Sequence, residues 1–341
     1  MPSTNNPARR FPGKRVLLII LIWVALVASR RLELVELILL AGVGLSIPII
    51  IELLSRTLAE IPFRDVLNKM KDEPSKLKWE PFLLRMIRLV WFPAFSFLAV
   101  ALIVSDWRLI VLLLVPFAVL TMLFSLHGLA SLVERQWSTT LCLLVAGQFY
   151  YPVSAVSLFL WKFEISLFGL PLGIILLTAL HFQFAGLVLP ILLAQLQKVY
   201  SSTTLNILCL SILASIPLVG LGIAGFPLIE CVSALLLSTM LMAFACQQLF
   251  TAFSFRRHQP LVSSLLMISA CSLLVSMPMA MVYAVGEFYE IAWISIPTMI
   301  SWHGSLNAFG FCFCGLLGWM LNDRSIYKKS LVQRATPNEG L

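Results

Sequence analysis

At 341 residues, 60% of them hydrophobic and 12% charged, the chain is too apolar for a soluble domain, which carries charge at about 25% of its positions. A net charge of +8 would suit a nucleic-acid partner, but the basic residues fall in alternate loops rather than in one basic domain. That pattern excludes nucleic acid and marks a membrane protein. All seven cysteines (Cys142, Cys209, Cys231, Cys246, Cys271, Cys312, Cys314) lie in apolar segments without zinc-ligand spacing, so they read as small buried apolar residues.

Apolar runs recur from Val16 to Leu321. They are too long and too evenly apolar for barrel strands, which alternate. The predicted fold class is all-α: a polytopic transmembrane helical bundle of about ten spans. In chain order the spans are expected at 16–29, 34–54, 89–105, 109–131, 139–160, 169–196, 205–224, 230–250, 260–285 and 294–321. Residues 1–15 form a cytoplasmic N-terminal segment, 16–321 the transmembrane helical domain, and 322–341 a cytoplasmic tail. The first span is short and follows Arg9, Arg10, Lys14 and Arg15, and Val27-Ala28-Ser29 resembles a cleavage site. It is read as an uncleaved helix, with a cleaved signal as the alternative. The stretch 55–88 is a sizeable cytoplasmic loop. Within it Phe63, Val66, Leu67 and Met70 recur at i, i+3, i+4 and i+7 beside Lys69 and Lys71, which predicts an interfacial helix on anionic lipid. Ser125-Leu-His127-Gly128 echoes Ser301-Trp-His303-Gly304, a match too short to establish a repeat.

Two histidines stand inside the apolar runs. Ionisable groups at membrane depth are costly and mark functional sites by default. At 1.5 Å of rise per residue, His181 falls near mid-membrane and His303 in the outer half of the last span. Asn307 lies one turn deeper on the face of His303, and Gly304, Ala308 and Gly310 thin the helix beside it, which allows close approach of another helix or a ligand. Glu230 opens the eighth span at its outer edge. These positions predict a polar pocket open to the outer face, floored by His181, walled by His303 and Asn307, with Glu230 at the rim. In such a pocket the histidines would act as acid and base, Asn307 would orient a substrate oxygen and Glu230 would support a histidine. His127, beside Glu134 and Arg135, reads as an interfacial structural residue. Gln148, Tyr150 and Tyr151 either join the pocket or bond neighbouring helices. No Walker loop, Gly-x-Ser-x-Gly or His-Glu-x-x-His appears.

Taken together, His181-Phe182-Gln183-Phe184-Ala185-Gly186 with Leu189-Pro190, and His303-Gly304 with Asn307-Ala308-Phe309-Gly310-Phe311, resemble the YndJ-like family of bacterial integral membrane proteins. The resemblance covers the second half of the chain. It implies a multi-pass protein of the bacterial inner membrane and brings no established activity. The family often carries a second histidine where this chain has Gln183, which weakens a metal-ligand reading of the first motif.

Three functions fit these residues. The first is a membrane-embedded enzyme acting on a lipid-like or isoprenoid-like substrate by acid/base chemistry. The second is a transporter or flippase using the same residues as a proton or substrate site. The third is a bis-histidine haem protein or a structural membrane subunit. The expected partners are the lipid bilayer and a hydrophobic or lipid-like small molecule. No cofactor and no oligomeric state follow from the sequence.

Orientation is directly testable. With both termini cytoplasmic, twenty of the 24 basic residues face the cytoplasm, as the resistance of Lys and Arg loops to translocation demands. Reporters fused after Asp72 and after Glu290 are expected on opposite membrane faces. Both reporting from one face refutes the ten-span arrangement.

Overall fold

The computed structural model describes residues 13–63 and 79–322. Among them, ten helices carry the fold: α1 Gly13–Ser29, α2 Leu34–Glu60, α3 Trp79–Ile103, α4 Trp107–Glu134, α5 Thr139–Lys162, α6 Leu172–Val199, α7 Thr203–Ile223, α8 Pro227–Phe255, α9 Pro260–Phe288 and α10 Ile296–Leu321. The last nine are long and apolar enough to cross a membrane, and α1 has 17 residues. The chain is thus a polytopic helical membrane bundle. α2 runs six residues beyond its expected end, and α3 begins ten residues before its expected start. The expected interfacial helix falls largely on 64–78, outside the described residues.

The described residues fall into two compact units, divided between Glu230 and Cys231. In the first, α2 is the centre. Of its most apolar window 89% is buried, against 33–56% for the other spans, as befits a helix hydrophobic all round. It packs against α1, α3 and α6. Glycines let it do so: a Cβ on Gly44 would meet Ile19 at 2.6 Å and Phe95 at 2.9 Å, and one on Gly42 would meet Gln183 Cγ at 2.8 Å. Around this centre α3, α4, α5 and α6 pack as sequential neighbours, with α7 against α5 and α6.

Prolines inside spans leave carbonyls four residues upstream without their helical donor. Two answers recur. Pro152 frees the carbonyl of Gln148, which accepts from Ser125 Oγ at 2.9 Å. Pro217 frees that of Leu213, which accepts from Tyr150 Oη at 3.2 Å. At Pro48 and Pro190 the backbone itself widens. Each proline stands four residues after a glycine, Gly44 and Gly186, and each glycine sits inside a π-helical stretch, Gly42–Ser46 and Phe182–Val188. Widening the turn relieves the clash between proline ring and upstream carbonyl.

One end of this unit is closed by a buried clasp. Arg135, just after α4, donates from Nε and Nη2 to the two oxygens of Glu80 at 2.6 and 3.0 Å, and from Nη1 to the Ile61 carbonyl at 2.7 Å. Its guanidinium lies 3.7 Å from the Phe63 ring centroid. Phe63, expected on a lipid-facing helix, is therefore held against the protein. The adjacent Glu134 carboxylate accepts from the Trp79 backbone N–H at 3.0 Å. At the same end of the bundle, Lys198 pairs with Glu60 at 2.9 Å. At the opposite level Lys162 donates to the Leu102 carbonyl at 2.9 Å.

In the second unit α9 is the spine. Phe244 of α8 stacks edge-on against Phe311 of α10, and Phe255 against Trp319. Buried serines on α9 reach both neighbours: Ser263 Oγ donates to the Ala252 carbonyl at 2.7 Å, and Ser269 Oγ to the Phe311 carbonyl at 2.8 Å. Gln248 Nε2 donates to Ser269 Oγ at 2.8 Å.

Removing one partner of a buried ion pair strands the other, at a cost of about 3–5 kcal/mol. Arg135→Ala is expected to lower thermal stability in detergent by an amount of that order. Arg135→Lys, which keeps the charge but loses the two-pronged geometry, should recover only part of it.

Candidate functional site

Both histidine motifs lie on π-helical backbone. His181 immediately precedes the stretch Phe182–Val188, and α10 is π-helical over Met299–Gly304 and again over Leu306–Phe313. Such stretches are rare and often coincide with functional sites. No proline follows the α10 stretches at the spacing seen for Pro48 and Pro190.

In the second unit the polar residues form a closed loop. His303 Nδ1 lies 3.0 Å from the Ser276 carbonyl, which can only accept, so Nδ1 carries the proton. In the neutral ring Nε2 is then an acceptor, and Asn307 Nδ2 donates to it at 3.0 Å. Asn307 Oδ1 accepts from Ser276 Oγ at 2.8 Å. His303 and Asn307 are half-buried and Ser276 is fully buried. The expected pairing of His303 with Asn307 along one helix face is thus present. Ser276 of α9, the third member, was not singled out by sequence. Its signal was a stripe of serines, Ser269, Ser272 and Ser276, at helical spacing on one face of α9.

Small residues bring α9 and α10 together at this loop. Ala308 is buried. A Cβ on Gly310 would collide with Ser272 Oγ and lie 2.7 Å from its Cβ.

The first unit holds His181 and Glu230. His181 is exposed, and its Nδ1–H donates to the Leu177 carbonyl one turn back at 2.7 Å. The buried polar residue of its motif is Gln183, at 0% exposure. Glu230 is half-buried where α8 begins, and its backbone presses on Gly222 across the α7–α8 turn, where a Cβ would meet Glu230 Cβ at 2.6 Å. Gly225 makes that turn at φ +134°, a conformation natural only to glycine.

His127 is fully buried in the protein, and its Nδ1 meets Gln148 Oε1 at 2.6 Å. Gln148 therefore bonds a neighbouring helix. So does Tyr150, through Leu213. A crevice of about 280 Å³ between α4 and α5 is walled by Leu114, Phe117, Pro152, Val156 and Phe159; it offers almost no polar surface. Among the described residues no group of three His, Cys, Asp or Glu side chains converges on a metal-binding centre.

Comparison with known proteins bears on this geometry. Residues 37–311 match the YndJ-like protein family. The chain belongs to that family. The matched region runs from the start of α2 into the second π-helical stretch of α10, so it includes the first half of the chain as well as both motifs. The "Uncharacterized membrane protein YndJ" of Bacillus subtilis (strain 168) is 27% identical over 246 residues. That alignment covers 68% of this chain and 42% of the relative, so the chain spans less than half of the relative's length. No solved structure matches the chain.

The α9–α10 contact yields a controlled test. Gly310→Ala must displace Ser272 or the helix carrying it, whereas a Cβ on Gly220 meets nothing within 4 Å. Thermal unfolding in detergent is expected to show a clear loss for Gly310→Ala and little change for Gly220→Ala. Equal effects would mean that α10 does not pack this face on α9.

Proposed function

We propose that the protein is a proton-linked transporter for a small or lipid-like molecule, with His303, Asn307 and Ser276 as its proton site. The observation that carries this reading is the closed hydrogen-bond loop on π-helical backbone. Such irregular helix is rare and often coincides with functional sites.

The loop is able to take up a proton and rearrange in response. Protonation at His303 Nε2 turns that nitrogen from acceptor to donor. The Asn307 amide must then rotate so that Oδ1 accepts from the ring. Its NH2 group turns to Ser276 Oγ, and the serine hydroxyl swings to the Leu273 carbonyl, already 3.5 Å away. Every donor keeps an acceptor, so two arrangements of one loop are available, differing by one proton. The loop ties α9 to α10, so its rearrangement bears on how those two helices meet.

An acid/base enzyme, the other reading of these residues, needs an imidazole nitrogen free to take a substrate proton. Both nitrogens of His303 are engaged here, and Asn307 would have to release Nε2 for a substrate proton just as it does for proton uptake.

The test uses the full chain in proteoliposomes on a solid-supported membrane. A jump to acid pH is expected to displace charge in the wild type and not in His303→Gln, which preserves polarity but cannot be protonated. Protein level and helix content should be unchanged. Equal currents in the two proteins, or none above empty liposomes in either, would overturn the reading.

A further inference from the structure

The first unit contains a second cluster of polar groups that the α9–α10 loop does not use. His127 on α4, Tyr151 and Ser154 on α5, and Gln183 on α6 are all 0% exposed. Five of their side-chain atoms have no hydrogen-bond partner: His127 Nε2, Tyr151 Oη, Ser154 Oγ, and both Nε2 and Oε1 of Gln183. The Tyr151 hydroxyl lies beside the Gln183 amide, outside hydrogen-bonding geometry. Buried polar atoms are almost always paired, with protein or with ordered water, and each exception calls for an explanation.

The groups stand in register. Gln148, Tyr151 and Ser154 follow at intervals of three on α5, so they rise over roughly 9 Å on one side of the helix. Phe124 and His127 are likewise three apart on α4. Phe124 stacks edge-on against Tyr151 at 5.4 Å, and Phe117 does so at 5.9 Å. His127 bonds Gln148 one layer away. Gln148 Nε2 already donates to the Leu144 carbonyl at 3.0 Å, so its Oε1 is the acceptor and His127 Nδ1 the donor. The neutral ring therefore presents a bare lone pair at Nε2. Across from these layers, Gln183 sits on the widened backbone of Phe182–Val188, wedged by its Cγ against Gly42.

We propose that His127, Tyr151, Ser154 and Gln183 line an internal hydration seam in the first unit that binds ordered water. The chemistry selects the ligand. His127 Nε2 and Gln183 Oε1 need donors, Gln183 Nε2 needs an acceptor, and the two hydroxyls serve as either. None of the four carries a formal charge with the ring neutral, so the set matches a small neutral molecule that donates and accepts, not an ion. Water is the smallest such molecule, and buried water typically bridges two to four polar partners. The aromatic walls confine it to these atoms.

Radiolytic footprinting of the full chain in lipid nanodiscs tests this, because hydroxyl radicals generated from bound water modify the side chains they touch. Trp91 is the control: it is also buried, at 2% exposure, and indole is at least as reactive as phenol. Tyr151 is expected to be modified several-fold faster than Trp91. A Tyr151 rate at or below that of Trp91 would overturn the proposal. Gln183→Met, close in shape but without the amide, should lower the Tyr151 rate several-fold and leave exposed sites unchanged. An unchanged Tyr151 rate in that variant would also overturn it. Should Gln183→Met not fold, Ser154→Ala provides the same comparison with the loss of a single hydroxyl.

Discussion

Lipid offers no hydrogen bonds, so every polar group at membrane depth must be answered from within the protein. Much of this structure follows from that constraint. Carbonyls released by Pro152 and Pro217 are met by a serine and a tyrosine of neighbouring spans. Serines along α9 turn inward to carbonyls of α8 and α10. These bonds do more than satisfy the backbone. Helices in lipid lack the hydrophobic drive that brings them together in water, so polar contacts and close small-residue packing determine which helix meets which.

The same constraint explains why irregular backbone and interlocked side chains coincide. A π-helical stretch loosens the helical ladder and is tolerated only where the surroundings are fixed. Around Gly42–Ser46 and Phe182–Val188 the fixing is steric: glycine and glutamine interlock, and α2 is enclosed on nearly all sides. Around the α10 stretches it is polar: Ser276, Asn307 and His303 hold one another. The first arrangement is rigid by packing. The second is held by hydrogen bonds, each of which depends on where its proton sits.

Charged groups play a different part. They gather at the helix ends, where Arg135 with Glu80 ties consecutive spans and Lys198 with Glu60 ties spans distant in sequence. Arg135 is bound on three sides, by a carboxylate, a carbonyl and an aromatic face. It joins the ends of α2, α3 and α4. A guanidinium suits this role because its planar fork serves several acceptors at once.

The sequence by itself determined the solvent class, the helical fold, nearly all the spans and the pairing of His303 with Asn307. These follow from local composition and from the period of one helix, and lipid enforces both without reference to the rest of the chain. It also supplied the Gly-x-x-x-Pro spacing before Pro48 and Pro190, which carries the reason for two of the π-helical stretches. Tertiary structure alone decided the partners. That Ser276 completes the His303 loop, that His127 is buried against Gln148, and that Gln183 rather than His181 is the enclosed polar residue of its motif all depend on which faces of different helices meet. Periodicity gives each helix a face but not its neighbour. Where every face is apolar, as on α2, it does not even single out a face, and only the packing of glycines and buried polar atoms resolves the choice.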